Sequence, residues 1–451
     1  MTATFWLLLI VIIWLAIMLR SRCCRSENGL RKRDCSVSTR PIRLIARELG
    51  ASAVRAEKRT AAGIAMLCFL GLVFKCPAQG QETAPIRRSQ IVHSFRLTKF
   101  YDTPEPLPAG KPGDLIRSVD FDQYDLPGDV SAVRILYHSR SAKGEDVATS
   151  GVVLFPDKKP PTGGWPVIAW AHDLNGVARD CAPSLARNLR SGSFLTMYVE
   201  LGYAVVATDY AGLGTKYRNA FADMASNASD VIYSIPAARA AVPQIGSRWI
   251  AMGTDEGGMA VLGVAEAEHD MRDPNYLGSI TISRLTDLED GYESPASLSY
   301  KSPLFLAYGI QTINPQFQAA DILSLKALAL YKQVGDGCSE GRLQPEPSAP
   351  DMLKANWKSN PLVQGYFNRN RAGLKPSGAP LLVVETQADA DSERTRKVVD
   401  RLCKQGDRVE LETYPENDPG SLIGDSVREQ IRWIEGQFSG RAPRNDCPSS
   451  H

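Results

Sequence analysis

The sequence predicts an α/β protein: a mostly parallel sheet covered on both faces by helices and interrupted late by an insertion. Three observations carry that reading. Short continuous apolar runs such as PVIAWAH (166–172), RWIAMG (248–253) and PLLVVET (380–386) alternate with stretches of helical length and periodicity. The 451 residues are 43% hydrophobic and 23% charged, a globular composition in a chain long enough for one large domain or two. The alternation breaks only between 285 and 375, where mixed helical and Pro/Gly-rich sequence reads as a cap inserted into the core.

Residues 1–80 form an apolar and basic N-terminal region. Residues 2–19 are uncharged and just long enough to span a bilayer, and Arg20, Arg22 and Arg25 follow at once. A second apolar stretch, AAGIAMLCFLGLVF at 61–74, is short for a span. It is preceded by Lys58 and Arg59 and followed by Pro77-Ala78-Gln79-Gly80, which reads as a signal peptide cut before Gln81. An internal signal peptide is explained in one of two ways: a start placed too far upstream, or an N-terminal anchor through residues 2–19. The expected location is secreted or periplasmic, with membrane association through these segments as the other reading. Residues 1–60 carry 12 Lys/Arg against 4 Asp/Glu, a net of +8, so a total of +2 leaves about −6 for the rest. A mildly acidic body gives no reason to expect nucleic acid as a partner.

Residues 81–130, rich in Pro, Gly and Asp, read as an irregular lead-in. The core then spans 131–284 and 376–440. VSAVRILYHS (130–139) and DVATSGVVLFP (146–156) resemble paired antiparallel strands, with a turn at Pro160–Gly164. Next come strand 166–172, helix 193–202, strand 203–210, helix 229–242, strand 248–253, helix 256–269 and strand 277–283. Beyond the insertion follow strand 380–386, helix 393–405, strand 408–415 and helix 426–438, then a polar tail at 441–451. Past the proposed cut lie four cysteines, Cys181, Cys338, Cys403 and Cys447; an even count in an exported chain predicts two disulfides, with three pairings open. No Cys-x-x-Cys or other recognised ligand spacing calls for a metal, and no cofactor motif is present.

The chemistry-bearing stretch is Gly253-Thr254-Asp255-Glu256-Gly257, between a strand and a helix. Hydrolases keep a nucleophilic serine in such a turn: the flanking glycines let strand and helix approach, and the first helical N–H groups face the reacting centre. Here the central residue is an aspartate. Together with WAHDLNGVARDCAPS (170–184), TDYAGLG (208–214) and the late acid segment, this stretch resembles the secretory lipase family, the lipase-A-like α/β hydrolases, over roughly residues 95–440. The resemblance implies an α/β-hydrolase fold, a cap, and hydrolysis of triacylglycerols or simpler esters by a Ser-His-Asp triad. It puts the nucleophile position on Asp255 and the acid on Asp389 in ETQADAD. The histidine position falls on Pro419, in Tyr414-Pro415-Glu416-Asn417-Asp418-Pro419. The oxyanion donors it implies are the backbone N–H groups of Glu256 and Asp173.

Two of three catalytic side chains are thereby replaced, and the five histidines offer little rescue. His93 and His138 precede the parallel sheet, and His451 is terminal. His269 lies 14 residues along the elbow helix, about 21 Å from Asp255 at ~1.5 Å per residue. His172, beside the oxyanion loop, reads as a structural brace or as an unusual base. An elbow aspartate can attack an alkyl carbon, as in haloalkane dehalogenases and epoxide hydrolases, but hydrolysis of the resulting ester still needs a histidine. Asp173, Asp255, Glu256, Asp389 and Glu416 are expected to converge on one pocket, where such a cluster must take up protons or bind a cation. The sequence thus describes a lipase or carboxylesterase by descent with low or no activity. The alternative is a catalytically silent protein that binds a lipid or ester, or an envelope scaffold.

Overall fold

A computed structural model describes residues 94–283, 285–293, 298–335, 338, 347–387, 390–415 and 419–448. The apolar segments at 2–19 and 61–74, Asp389, Glu416, His93 and His451 lie outside the described residues. The described chain builds one nine-stranded sheet in the order β1-β2-β3-β5-β4-β6-β7-β8-β9. Three strands open it, β1 (Leu115–Asp120), β2 (Val130–Arg140) and β3 (Asp146–Pro156), and β4 (Trp165–Ala171) and β5 (Ala204–Thr208) come next. Then follow β6 (Ile245–Thr254), β7 (Tyr276–Ile282), β8 (Leu381–Thr386) and β9 (Val409–Tyr414). β1, β2 and β3 pair antiparallel and β3 meets β5 antiparallel; from β5 through β4, β6, β7, β8 to β9 every pairing is parallel.

The apolar runs are continuous because both sheet faces are buried. Along β4, Val167, Ala169 and Ala171 join one core cluster, whereas Ile168 and Trp170 join the other. On β6, Trp249 and Ala251 face the first, Ile250 and Met252 the second. Successive strand side chains point to opposite faces, so a doubly covered strand shows no polar alternation. Helices α2 (Met224–Ala241) and α3 (Glu256–Met271) cover the first face. Helices α1 (Gly192–Glu200) and α9 (Val427–Ser439), the latter through Trp433 and Ile434, cover the second.

Between β7 and β8 the chain forms α4 (Ser302–Ile313), α5 (Leu325–Tyr331) and α6 (Pro361–Arg369). Their buried side chains, among them Phe305, Leu306, Ile310 and Phe367, gather around Val177 and Phe221, which come from the loops after β4 and β5. The Cys181–Cys338 disulfide ties this insertion to the loop after β4, with Cα atoms 5.1 Å apart. After β8 come α7 (Ala390–Lys404) and, beyond β9, α8 (Pro419–Asp425).

Two stretches differ from the sequence reading. The lead-in is not wholly irregular: it supplies β1 at the sheet edge, and Phe95, Phe121 and Tyr124 surround the fully buried Arg134 of β2. The Arg134 guanidinium stands 3.4 Å from the Phe121 ring centre and donates to the Ser184 carbonyl and the Tyr124 hydroxyl. That cation–π and hydrogen-bond clamp holds a segment whose own sequence has little strand character. The polar tail is also fixed. Asn445 and Asp446 accept the N–H groups of Val409 and Leu411, and the Asp446 N–H donates to the Val409 carbonyl, so the tail occupies the free edge of β9. A second disulfide, Cys403–Cys447, locks it to α7.

Removing that lock by Cys403→Ala with Cys447→Ala should lower unfolding free energy by about 2–4 kcal/mol, since the bridge closes 44 residues. Urea titration of the two proteins measures it.

Candidate active site

β6 runs straight into α3 through a single residue, Asp255, at φ 48° and ψ −110°. A non-glycine residue here is strained, by roughly 1–3 kcal/mol, and survives only when its surroundings dictate it. The dictating contacts come from the two flanking glycines. A Cβ on Gly257 would stand 2.0 Å from the Ala171 carbonyl oxygen, and one on Gly253 would stand 2.3 Å from the Gly257 carbonyl oxygen. Only hydrogen fits at either place, so the strand–helix approach requires the glycine pair and forces the bend between them.

The Asp255 side chain is half-buried at the N-terminus of α3, where the helix dipole favours a negative charge. Ser283 Oγ donates to its Oδ1 at 3.1 Å. Ser283 follows β7 and itself sits at φ 72°, so two strained residues on adjacent strand ends meet at the elbow. Sequence reasoning did not find Ser283, because a lone serine after a strand carries no pattern.

Glu256 is the first residue of α3, and a helix leaves its first N–H groups without intrahelical acceptors. Its carboxylate turns inward and accepts from the Ala222 N–H at 2.9 Å and from Asn227 Nδ2 at 3.1 Å. Burial pushes this carboxyl up to about 7; the two hydrogen bonds oppose the rise, and the charge of Asp173 adds to it. Asp173, exposed in the loop after β4, has its carbonyl at 2.6 Å from His172 Nδ1.

His172 is a brace. It is buried, its Nε2 lies 3.2 Å from the Asp209 carbonyl, and its ring stacks on Tyr210 at 4.1 Å between centres. Burial holds its pKa below the usual imidazole value. Its contacts bind together the loops after β4 and β5. His138 is likewise placed elsewhere, on β2 beside Asp146.

A cavity of about 460 Å³ opens over the elbow. Asp173, Asp255 and Glu256 line one part of it, and Leu288, Tyr292 and Leu298 of the insertion line another. The structure therefore brings three of the five expected site residues together. Asp389 lies outside the described residues; the chain reaches it from Thr386, the end of β8, two strands from β6. Pro419 is the first residue of α8, which packs against β8. The expected loop at 419 is thus a helix start. Proline suits the first helical turn because its fixed φ and missing N–H cost nothing there.

A mostly parallel sheet with an elbow after a central strand and an insertion over the strand ends is the α/β-hydrolase fold. Solved structures of this fold superpose on it. Candida antarctica lipase A in its closed state superposes with a TM-score of 0.63 at 17% identity, over 78% of this chain and 87% of that one. The rice cell wall degrading esterase LipA of Xanthomonas oryzae gives 0.61 at 18%, over 74% of this chain and 100% of the other. A putative hydrolase of Legionella pneumophila gives 0.62 at 19%, over 73% and 100%. No protein-family model matches the sequence, and no curated protein matches it. At these identities the likeness shows the fold.

Two outcomes test the site. Gly257→Ala should destabilise the protein by about 3 kcal/mol or fail to fold, because the clash is with backbone, as thermal melting will record. Glu256→Gln should flatten the pH dependence of stability. An unfolded glutamate ionises near 4.5 while the folded one keeps its proton to about 7, so the native state binds the extra proton and loses stability as pH rises through that window. The wild type should fall relative to Glu256→Gln by up to roughly 3 kcal/mol between pH 4.5 and 7.5 and then level off.

Proposed function

We propose that this chain is an exported protein of secretory-lipase descent that binds a lipid- or ester-like small molecule without turning it over efficiently. The observation that supports it most is Asp255 at the strained elbow. The backbone device that presents a nucleophile is retained, while the residue presented is one that attacks a carboxylic ester poorly, since the product would be a mixed anhydride. His172 is committed to backbone carbonyls, which argues against it as the base. The degenerate triad, with Asp255, Asp389 and Pro419 in place of Ser, Asp and His, completes this reading.

The open cavity, walled partly by Leu288, Tyr292 and Leu298, favours ligand binding over a pure envelope scaffold, for which a filled pocket would serve. Export is supported by the signal-like segment ending near Gly80 and by two disulfides, which persist in oxidising compartments. The likeness to a cell wall degrading esterase is in keeping with that location. Among the described residues no helix is long and apolar enough to cross a membrane, and the apolar segments at 2–19 and 61–74 lie outside them.

The purified protein should hydrolyse p-nitrophenyl esters of short and long acyl chains weakly or not at all. An absent general base alone removes ~10²–10⁴-fold, and the nucleophile acts with it as one unit, so Asp255→Ser by itself should stay nearly inert. Turnover at ordinary enzyme rates, abolished by Asp255→Ala, would instead make Asp255 a working nucleophile or base and overturn the proposal.

A further inference from the structure

We propose that the outer edge of β9 is a self-association surface that the C-terminal tail keeps covered. Where the tail is not latched by the Cys403–Cys447 bridge, a second copy of the chain adds its own β9 there, antiparallel and about a two-fold axis at Glu410.

β9 is the last strand of the sheet, and in a parallel pair alternate residues turn their backbone groups to opposite sides. The Arg408 carbonyl accepts from Leu381 on the β8 side, so the N–H and C=O groups of Val409 and Leu411 point outward. The tail meets all four. Asp446 N–H donates to the Val409 carbonyl at 2.8 Å, and Asn445 Oδ1 accepts from the Val409 N–H at 3.2 Å. Asp446 Oδ2 accepts from the Leu411 N–H at 2.8 Å, and Arg444 Nη2 donates to the Leu411 carbonyl at 2.9 Å. Three of these bonds use tail side chains, so the tail stands in for a strand without being one. Arg444 Nη1 also lies 3.2 Å from Glu412 Oε1. Arg444, Asn445 and Asp446 are all exposed, where hydrogen bonds and ion pairs hold weakly, so the bridge to α7 is the main fastening.

A second copy replaces each of those contacts. With Glu410 on the axis, Val409 of each chain faces Leu411 of the other. These two pairs exchange N–H and C=O bonds and use every backbone group that the tail had covered. Arg408, which is exposed, then stands opposite Glu412 of the other copy and takes the place of Arg444. The two Glu410 side chains meet at the axis, each already bound to the Arg432 of its own chain. The neighbouring register, with Leu411 on the axis, would set Glu410 against Glu412 twice, and like charges directly opposite destabilise a ladder. The charges on this edge thus complement the edge itself in one register. An uncovered strand edge is a ready template for pairing, and two identical edges joined about a two-fold axis close as a dimer.

The test uses the full chain and reads its mass by light scattering across a wide range of protein concentration. With the bridge closed the protein should stay monomeric. Cys403→Ala with Cys447→Ala should show a concentration-dependent doubling of mass. Adding Asp446→Ala, which removes the acceptor at the Leu411 N–H, should strengthen the dimer. In that unlatched background Arg408→Glu alone should abolish it, and so should Glu412→Arg alone, because each sets like charges opposite at both ends of the ladder. Mixed together, those two proteins should pair with each other and restore the doubled mass, an outcome that loss of folding cannot produce; thermal melting should show each variant folded. Unlatched proteins that stay monomeric overturn the proposal. So do a dimer already present with the bridge closed, a dimer indifferent to Arg408→Glu, and a mixture that fails to pair.

Discussion

Everything at the strand ends of this protein depends on how closely α3 starts beside β4. Gly257 packs its backbone against the Ala171 carbonyl, with no room for a Cβ. That contact sets the entry angle of the helix, and the entry angle sets Asp255 at φ 48°. The strain is therefore a consequence of packing between two core elements. It does not depend on which side chain the strained residue carries. A serine, an aspartate or an alanine would be held alike. The loops on either side are then pinned independently of any catalytic group: His172 and Tyr210 hold the loop after β4 to the loop after β5, and Cys181–Cys338 holds the insertion above them.

Placing a carboxylate at that elbow changes the electrostatics more than the geometry. The helix dipole and the Ser283 hydroxyl both favour negative charge on the Asp255 carboxyl. Its neighbour Glu256 takes the opposite course: burial, with Asp173 nearby, favours its protonated form near neutrality.

The fold was legible because its signal is physical and local. β4, β6 and β8 had to be apolar on both faces, and a run such as WIAMG admits few other readings once glycine turns bracket it. The described strand and helix bounds in the core differ from the sequence reading by only a few residues. What stayed hidden depends on partners distant in the chain. β1 is a strand because Arg134 and the edge of β2 hold it, and the tail is ordered because β9 has an edge to cover. At the site, the position of Asp255 and Glu256 between strand and helix was legible through glycine spacing, and Asp173 entered only through the family resemblance. Ser283 was not legible, since its role arises from a neighbouring strand end, and position 419 was expected in a loop because a family pattern, rather than the local proline, was followed.

The same separation divides the residues that hold the fold from the positions at which side chains can vary. Residues that define the fold, such as Gly253, Gly257, Asp209 and Tyr210, are fixed by contacts whose loss would cost stability; Asp209, for instance, accepts from Ser150 and from both the N–H and hydroxyl of Ser184. The nucleophile and histidine positions carry no such duty. Asp255 is held by its backbone, and a proline at 419 begins a helix comfortably. A change of side chain at either position therefore costs folding little, because neither holds a contact on which the sheet or its loops depend.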